Sequence, residues 1–293
     1  MVYAVNATPL NEVFDKPGNA LATAYDVAEN VVYSRRDYSQ YEKSSYCSAS
    51  IQQMQGFAVF NGTIFQMRAS STVENKFATI DVETQTVLHN DIAIASNHGD
   101  SANFSSEYYA QTDAFPLLYV TTDQNPAIIR INRVTLNSSE LIRSLSFPLS
   151  AGYYSAIALD EPNAIAYLVG YTRDNYLTDD DGNNKTIISK WDMSELTDNG
   201  DGTYTPKFVS SFECPFIYVM QGLEFHDGLI WVASGYVDAH GYIYALDPRT
   251  GAIVFTVDTG TTTELEGLSW ISENEMVIGL KGGIYEKYTF TEV

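Results

Sequence analysis

The chain has few basic residues and no long apolar run. Lys and Arg together number 16 against 37 Asp and Glu, which gives a formal net charge of −21 over 293 residues. Because phosphate groups are recognised through basic patches, this balance argues against DNA, RNA or an anionic membrane surface as a partner. No apolar stretch approaches the roughly 18 residues that cross a bilayer, so we predict no membrane insertion.

The N-terminal segment MVYAVNATPLNEVFDKPG lacks the basic start and the continuous apolar stretch of a signal peptide. The composition, with 21 Tyr and little Lys, is nevertheless more typical of extracellular proteins. We therefore expect a location outside the cell or on a virion surface that is reached by lysis rather than by secretion. A cytoplasmic location stays open at this point.

A gap-free internal repeat is the most informative feature of the sequence. One copy reads MQGFAVFNGTIFQMRAS and then KFATIDVETQTV, and the other reads MQGLEFHDGLIWVASG and then YIYALDPRTGAI. Gln55 matches Gln221, Gly62 matches Gly228, and every matched pair is 166 positions apart. Each copy has hairpin turns (Asn-Gly or Asp-Gly) between short alternating segments, which predicts a four-stranded meander.

Such meanders are the blades of β-propellers, and weaker copies occur elsewhere in the chain. Blades that start near residues 56, 102, 154, 222 and 267 predict a single all-β domain over residues 1–293 with five blades, and six or seven blades are the alternative. Residues 1–45, and within them VVYSRRDYSQY (31–41), would supply the strand that the last blade lacks and so close the ring. No helical apolar period is present.

The repeat containing QGLEFHDGLIWVASG and GYIYALDPRTGAIV resembles the glutamine cyclotransferase family of five-bladed propellers. The end of the chain, EGLSW to VIGLKGGIYEKYTF, is also similar to helveticin-like and phage-associated propellers. The first resemblance implies cyclisation of N-terminal glutamine by a carboxylate at the channel mouth. Glu224 matches the Glu of the family's QGLE motif, whereas the first repeat has Ala58 there.

Polar residues near the blade starts are the candidate ligand-binding residues, because the innermost strands of a propeller begin around one end of its channel. They are Gln55, His98, Asn103, Tyr154, Gln221 and Glu266, with Glu224 as the catalytic candidate. His98 has Asp100 close by as a partner for acid–base chemistry. The competing interpretation is that these side chains hold neighbouring blades together through their backbones.

Metal and disulfide sites are weakly indicated. Asp179, Asp181 and Asn183 form a calcium candidate that departs from the EF-hand pattern, and no other cofactor is predicted. The run Asp198 to Gly202 is a better hairpin signal. Cys47 and Cys214, the only cysteines, would lie on different parts of the ring, which favours buried free thiols over a disulfide.

Two functions follow from these observations. The first is a non-enzymatic recognition or structural propeller outside the cell, on a virion (phage tail or fibre) or on a cell surface. Such a propeller would bind a glycan or a protein and belong to a larger assembly. The second is a glutaminyl-peptide cyclotransferase-like enzyme that uses Glu224.

Overall fold

The computed structural model describes residues 38, 40–51, 53–70, 73–96, 98–122, 127–148, 156–172, 182–236 and 238–291. This part of the chain is all-β, as predicted, and a single 3₁₀ turn at Glu161–Asn163 is its only helical segment. The strands are β1 (Tyr41–Ser48), β2 (Met54–Phe60), β3 (Thr63–Ser70), β4 (Val73–Asp81), β5 (Thr86–Ala93), β6 (His98–Phe104), β7 (Leu118–Thr122), β8 (Ala127–Val134), β9 (Ser139–Phe147), β10 (Ala156–Asp160), β11 (Ile165–Tyr171), β12 (Thr186–Asp198), β13 (Thr203–Cys214), β14 (Met220–His226), β15 (Leu229–Ser234), β16 (Tyr242–Leu246), β17 (Ile253–Asp258), β18 (Leu265–Trp270), β19 (Glu275–Leu280) and β20 (Ile284–Phe290).

The strands form antiparallel meanders in a propeller-like arrangement. Three sheets have four strands each, in the orders β2-β3-β4-β5, β14-β15-β16-β17 and β1-β20-β19-β18. The fourth sheet has eight strands, in the order β10-β11-β12-β13-β9-β8-β7-β6. Its two halves meet at a parallel contact of two residue pairs, Thr203 with Ser144 and Tyr204 with Leu145.

The sequence repeat corresponds to two sheets with the same strand order. Strands β2 and β14 start and end at positions matched by the repeat, and each is followed by a tight turn. Asn61 and Gly62 in one turn, and Asp227 and Gly228 in the other, all have positive φ. Two consecutive positive φ angles are what a type I′ hairpin requires, so the predicted turns are confirmed.

The innermost strands of the meanders contact one another in a closed cycle. β2 contacts β6 and β18, β10 contacts β6 and β14, and β14 contacts β18. β14 also contacts β6 across this cycle, so the centre is narrow. Large side chains fill the wedges between neighbouring sheets, and Trp191, Trp231 and Trp270 are all buried.

The N-terminal part of the described chain joins the last sheet. β1 pairs antiparallel with β20 from Tyr41 to Ser48, and thereby becomes the outermost strand of the sheet that begins with β18. The predicted closing segment, residues 31–41, lies almost entirely outside the described residues. The observed strand begins at the last position of that segment.

Cys47 and Cys214 are free thiols, and both are buried. They belong to separate hydrophobic clusters, in agreement with the predicted separation on the ring. No described segment forms a helix with the length and apolarity needed to span a bilayer.

Candidate functional site

Three of the predicted ligand-binding residues occupy matching positions at the start of innermost strands. Gln55, Gln221 and Glu266 each precede a glycine in β2, β14 and β18. Strand pairing skips Gln221 in β14, Glu266 in β18, and Gln55 together with Gly56 in β2. Such bulges re-aim a side chain out of the regular alternation. The three residues therefore lie at one level of the ring.

The glycines that follow are required by close contact between innermost strands. A Cβ added at Gly222 would lie 2.7 Å from the Cα of Gly267 and 3.0 Å from the backbone nitrogen of Leu268. The backbones of β14 and β18 approach each other this closely only because Gly222 carries no side chain, and a Cβ added at Gly267 would instead lie 3.1 Å from the Phe57 ring on β2. In each Gln-Gly or Glu-Gly pair, the glycine thus allows the strands to pack closely, and the residue before it is polar.

Two further residues, which the sequence did not single out, complete this polar end. The Gln221 amide Nε2 donates a hydrogen bond to Glu264 Oε1 at 3.2 Å, and Lys281 forms an ion pair with the other oxygen of Glu264. The hydrogen bond to Glu264 raises the pKa of Lys281. We call Gln55, Gln221, Glu264, Glu266 and Lys281 the strand-start mouth.

A second network lies beneath the mouth. The hydroxyl of Tyr285 donates to Gln66 Oε1 at 2.6 Å, and Gln66 Nε2 donates to the backbone oxygen of Gln55, also at 2.6 Å. Glu266 is buried, and its charge contributes to a pKa of Tyr285 well above the ordinary value, after desolvation as the main cause. Buried polar side chains thus hold the backbone of the mouth at Gln55.

Two other mouth candidates fall where little can be described. Tyr154 lies outside the described residues. Of His98 and Asp100 only the backbone is described, at the beginning of β6, which is the correct end of that strand for the mouth.

Asn103 is placed deeper in the ring than the mouth. It is buried, and its amide Nδ2 donates to the backbone oxygens of Ile157 at 2.6 Å and Leu223 at 3.1 Å. These two acceptors belong to β10 and β14, so one side chain of β6 joins three innermost strands. This geometry matches the competing interpretation, in which polar residues near the axis hold blades together.

Replacing Asn103 by Ala should therefore destabilise the fold by about 2 kcal/mol, because two buried carbonyls lose their donor. Chemical denaturation measures this change. Asn137→Ala is the control, since Asn137 is exposed and its side-chain oxygen accepts a hydrogen bond from the Thr135 hydroxyl at the surface. Equal losses for the two variants would contradict a role of Asn103 in joining the strands.

Glu224 also bonds to a neighbouring innermost strand. Its Oε2 accepts a hydrogen bond from the backbone N–H of Trp270 at 2.9 Å. Ser269 occupies the matching position of β18, and its Oγ accepts from the backbone N–H of Val59 at 3.3 Å. Desolvation raises the pKa of Glu224 to about 8, against the smaller opposing effect of the Trp270 N–H.

A cleft lies at the opposite end of the innermost strands. Since a strand rises about 3.3 Å per residue, His226 at the end of β14 is roughly 15 Å from Gln221. Residues 159–163 and 225–228 line a cleft of about 410 Å³, which we call the strand-end cleft. His226 is half-buried, and its ring stacks on that of Trp270 with 3.9 Å between the ring centroids.

Carboxylates with raised pKa values lie in and beside the strand-end cleft. Glu161 Oε1 accepts a hydrogen bond from the backbone N–H of Ser106 at 2.6 Å, and desolvation raises the pKa of Glu161. Desolvation, followed by the charge of Glu161, raises the pKa of Glu107 to about 7. Desolvation also raises the pKa of Asp160. Sequence reasoning missed these residues because they stand singly in loops and strand ends.

The described residues contain no group of three or more His, Cys, Asp or Glu side chains that is arranged to hold a metal ion. Asp179 and Asp181 of the calcium candidate lie outside the described chain. Its third member, Asn183, is described and takes part in an interaction of its own. The second acidic run is the turn between β12 and β13, where Asp198 and Asp201 accept backbone N–H bonds, as the hairpin prediction required.

Comparisons with known proteins show no family for this chain. No family model matches the chain, and no curated protein matches it. A structural genomics protein of unknown function from Bacteroides thetaiotaomicron VPI-5482 is similar at 12% identity and a TM-score of 0.47, over 86% of this chain and 76% of its own. The PQQ-bound aldose sugar dehydrogenase from Streptomyces coelicolor is similar at 9% identity and a TM-score of 0.49, over 88% of this chain and 100% of its own.

Proposed function

We propose that the protein is a five-bladed, non-enzymatic recognition propeller that acts outside the cell, as part of a virion or on a cell surface, and binds a glycan or a protein. Division of the eight-stranded sheet at its two-pair contact leaves five four-stranded units, which supports the blade count. The 166-residue offset of the repeat then spans three units.

The bond between Glu224 and the backbone N–H of Trp270 is the observation that carries this proposal. A general acid–base must present its carboxyl group to a substrate. Here one carboxyl oxygen is directed at a neighbouring strand, and Ser269 makes the matching bond in the next sheet. The mouth, by contrast, has the half-buried amides of Gln55 and Gln221 and the exposed ammonium group of Lys281, which suit the binding of a polar ligand.

The proposal predicts that the wild-type protein binds immobilised glycans or whole bacterial cells. The double variant Gln55→Ala, Gln221→Ala should weaken this binding at least about tenfold, because one or two hydrogen bonds to the ligand are lost. Surface plasmon resonance measures the binding. Gln85→Ala, in the exposed turn between β4 and β5, is the matched control. The absence of any binding by folded protein would contradict the proposal.

The alternative, a glutaminyl-peptide cyclotransferase-like enzyme, is favoured by one observation: the pKa of about 8 for Glu224 suits proton transfer near neutral pH. A turnover assay with an N-terminal glutaminyl peptide separates the two functions. We expect no cyclisation. Cyclisation by the wild type that Glu224→Gln abolishes would establish the enzyme instead.

A further inference from the structure

Two Asn-Gly pairs occur in the sequence, at Asn61-Gly62 and at Asn199-Gly200. Both lie in exposed hairpin turns, the first between β2 and β3 and the second between β12 and β13. Asparagine is a chemically labile residue, because the next backbone nitrogen can attack its side-chain carbonyl carbon, and a following glycine has no Cβ to hinder that attack. The fold decides whether a given pair reacts, since it can hold the amide and the attacking nitrogen in place.

Hydrogen bonds hold both reacting groups of the second pair. The Asn199 amide Nδ2 donates to the hydroxyls of Thr203 at 2.8 Å and of Thr205 at 3.0 Å. The Gly200 N–H, which contains the attacking nitrogen, donates to Asp198 Oδ1 at 2.8 Å. Attack at this pair would have to break these bonds, so the turn between β12 and β13 protects Asn199.

The first pair lacks such bonds. Within the part of the chain that the structure describes, neither the Asn61 side chain nor the Gly62 N–H makes a hydrogen bond, and only the Gly62 carbonyl is held, by the N–H of Val82 at 2.9 Å. Asn61 and Gly62 are both exposed, and a Cβ at Gly62 would meet nothing within 4 Å. The Asn61 amide is therefore free to turn toward the Gly62 nitrogen, and water reaches both groups.

We propose that Asn61 is a site of spontaneous deamidation and that Asn199 is protected from it by its turn. The Gly62 nitrogen gives its proton to hydroxide and forms a bond to Cγ of Asn61, while the Cγ–Nδ2 bond breaks and the amide nitrogen leaves as ammonia with a proton from water. A water molecule then opens the succinimide ring at either of its carbonyl carbons, which leaves aspartate or isoaspartate at position 61. This inference does not depend on the recognition function.

The two products have different effects on the turn between β2 and β3. Aspartate suits it, because the matched turn of the repeat is Asp227-Gly228, in which both residues also have positive φ. Isoaspartate continues the chain through its side-chain carbonyl and so adds a methylene group to the backbone, which a two-residue type I′ turn cannot accommodate. Deamidation therefore adds one negative charge to the protein, and the isoaspartate fraction loosens the hairpin of β2 and β3.

The test is incubation of the whole folded protein at mildly alkaline pH, where the attacking nitrogen loses its proton more readily, followed by peptide mapping with mass spectrometry. We expect Asn61 to deamidate at least about tenfold faster than Asn199, which is the effect of one or two hydrogen bonds that attack must break. In protein unfolded in urea the two sites should react at similar rates, because glycine follows both.

Two variants test the causes separately. Asp198→Ala releases the Gly200 N–H and should speed deamidation of Asn199 without changing the rate at Asn61. Asn61→Asp should melt as the wild type does, and after the same incubation it should melt above wild-type protein that has deamidated. Equal rates at the two sites in folded protein, a difference that persists in the unfolded chain, or an Asn199 rate that Asp198→Ala leaves unchanged would overturn the inference.

Discussion

Gly283→Ala should melt about 8 °C below the wild type, whereas the neighbouring Gly282→Ala should lose only about 2 °C. Both glycines lie in the turn between β19 and β20 and have positive φ, +94° for Gly282 and +83° for Gly283. Positive φ strains any L side chain by about 1 kcal/mol or more. A Cβ at Gly283 would in addition overlap the backbone oxygen of Ala49, while one at Gly282 meets nothing within 4 Å.

The difference between these two variants isolates the contact that closes the ring. Ala49 follows β1, and its N–H donates to the backbone oxygen of Gly283 at 2.8 Å. The overlap must displace the end of β1 from β20, which we expect to cost roughly 3 kcal/mol beyond the strain. For a chain of this length, 1 kcal/mol corresponds to about 2 °C in melting temperature. Equal melting temperatures for the two variants would show that the close approach at Ala49 contributes nothing.

Glu224→Gln should be about as stable as the wild type near pH 4 and more stable by about 3 kcal/mol at pH 9. The pKa of Glu224 is raised from 4.5 to about 8 in the folded protein. Between these two values the folded carboxyl keeps its proton and the unfolded one releases it. The wild type therefore loses stability as pH rises from about 4.5 to about 8, and the loss is complete above that.

Gln cannot ionise, and its side-chain oxygen still accepts the N–H of Trp270, so the variant should lack this pH dependence. Urea denaturation at a series of pH values measures the difference between the two proteins. Glu107→Gln is the comparison: its pKa of about 7 predicts the same sign over a narrower range, from about pH 4.5 to 7. A stability difference for Glu224→Gln that does not change with pH would mean that the carboxyl group is not desolvated.

The raised pKa of Glu224 also bears on function. A neutral carboxyl at Glu224 near pH 7 bonds a backbone N–H without placing an unpaired charge between strands, which suits a structural role. The cyclotransferase alternative needs the same raised pKa together with access for a peptide. The stability profile and the turnover assay therefore test separate properties of one side chain.

Local sequence signals predicted the elements of this fold well. The Asn-Gly and Asp-Gly turns appear where they were expected, since two positive φ angles are accessible to few other residue pairs. The repeat predicted two sheets with matched strands, and the alternating bulky residues of Tyr242–Leu246 form a strand. The predicted closing segment, residues 31–41, stays a prediction because most of it lies outside the described residues, while β1, which begins at its last position, pairs with β20.

The candidate sites were only partly predictable. Gln55, Gln221 and Glu266 share a motif position, so they share a level of the ring. Glu264 and Lys281 joined them through contacts across a sheet that no local pattern encodes. Glu107 and Glu161 come from a loop and a 3₁₀ turn, and a bond from the Ser106 N–H, next to Glu107 in the chain, to Glu161 brings the two segments together.

The sequence alone thus determined the all-β class, the meander repeat and the turns, because each of these depends on short-range pattern. Tertiary structure decided which polar side chains bond a neighbouring strand. Asn103 shows why: the same amide suits a ligand or a backbone carbonyl equally well, and its donors are used by Ile157 and Leu223 only because three strands meet at the centre of the ring.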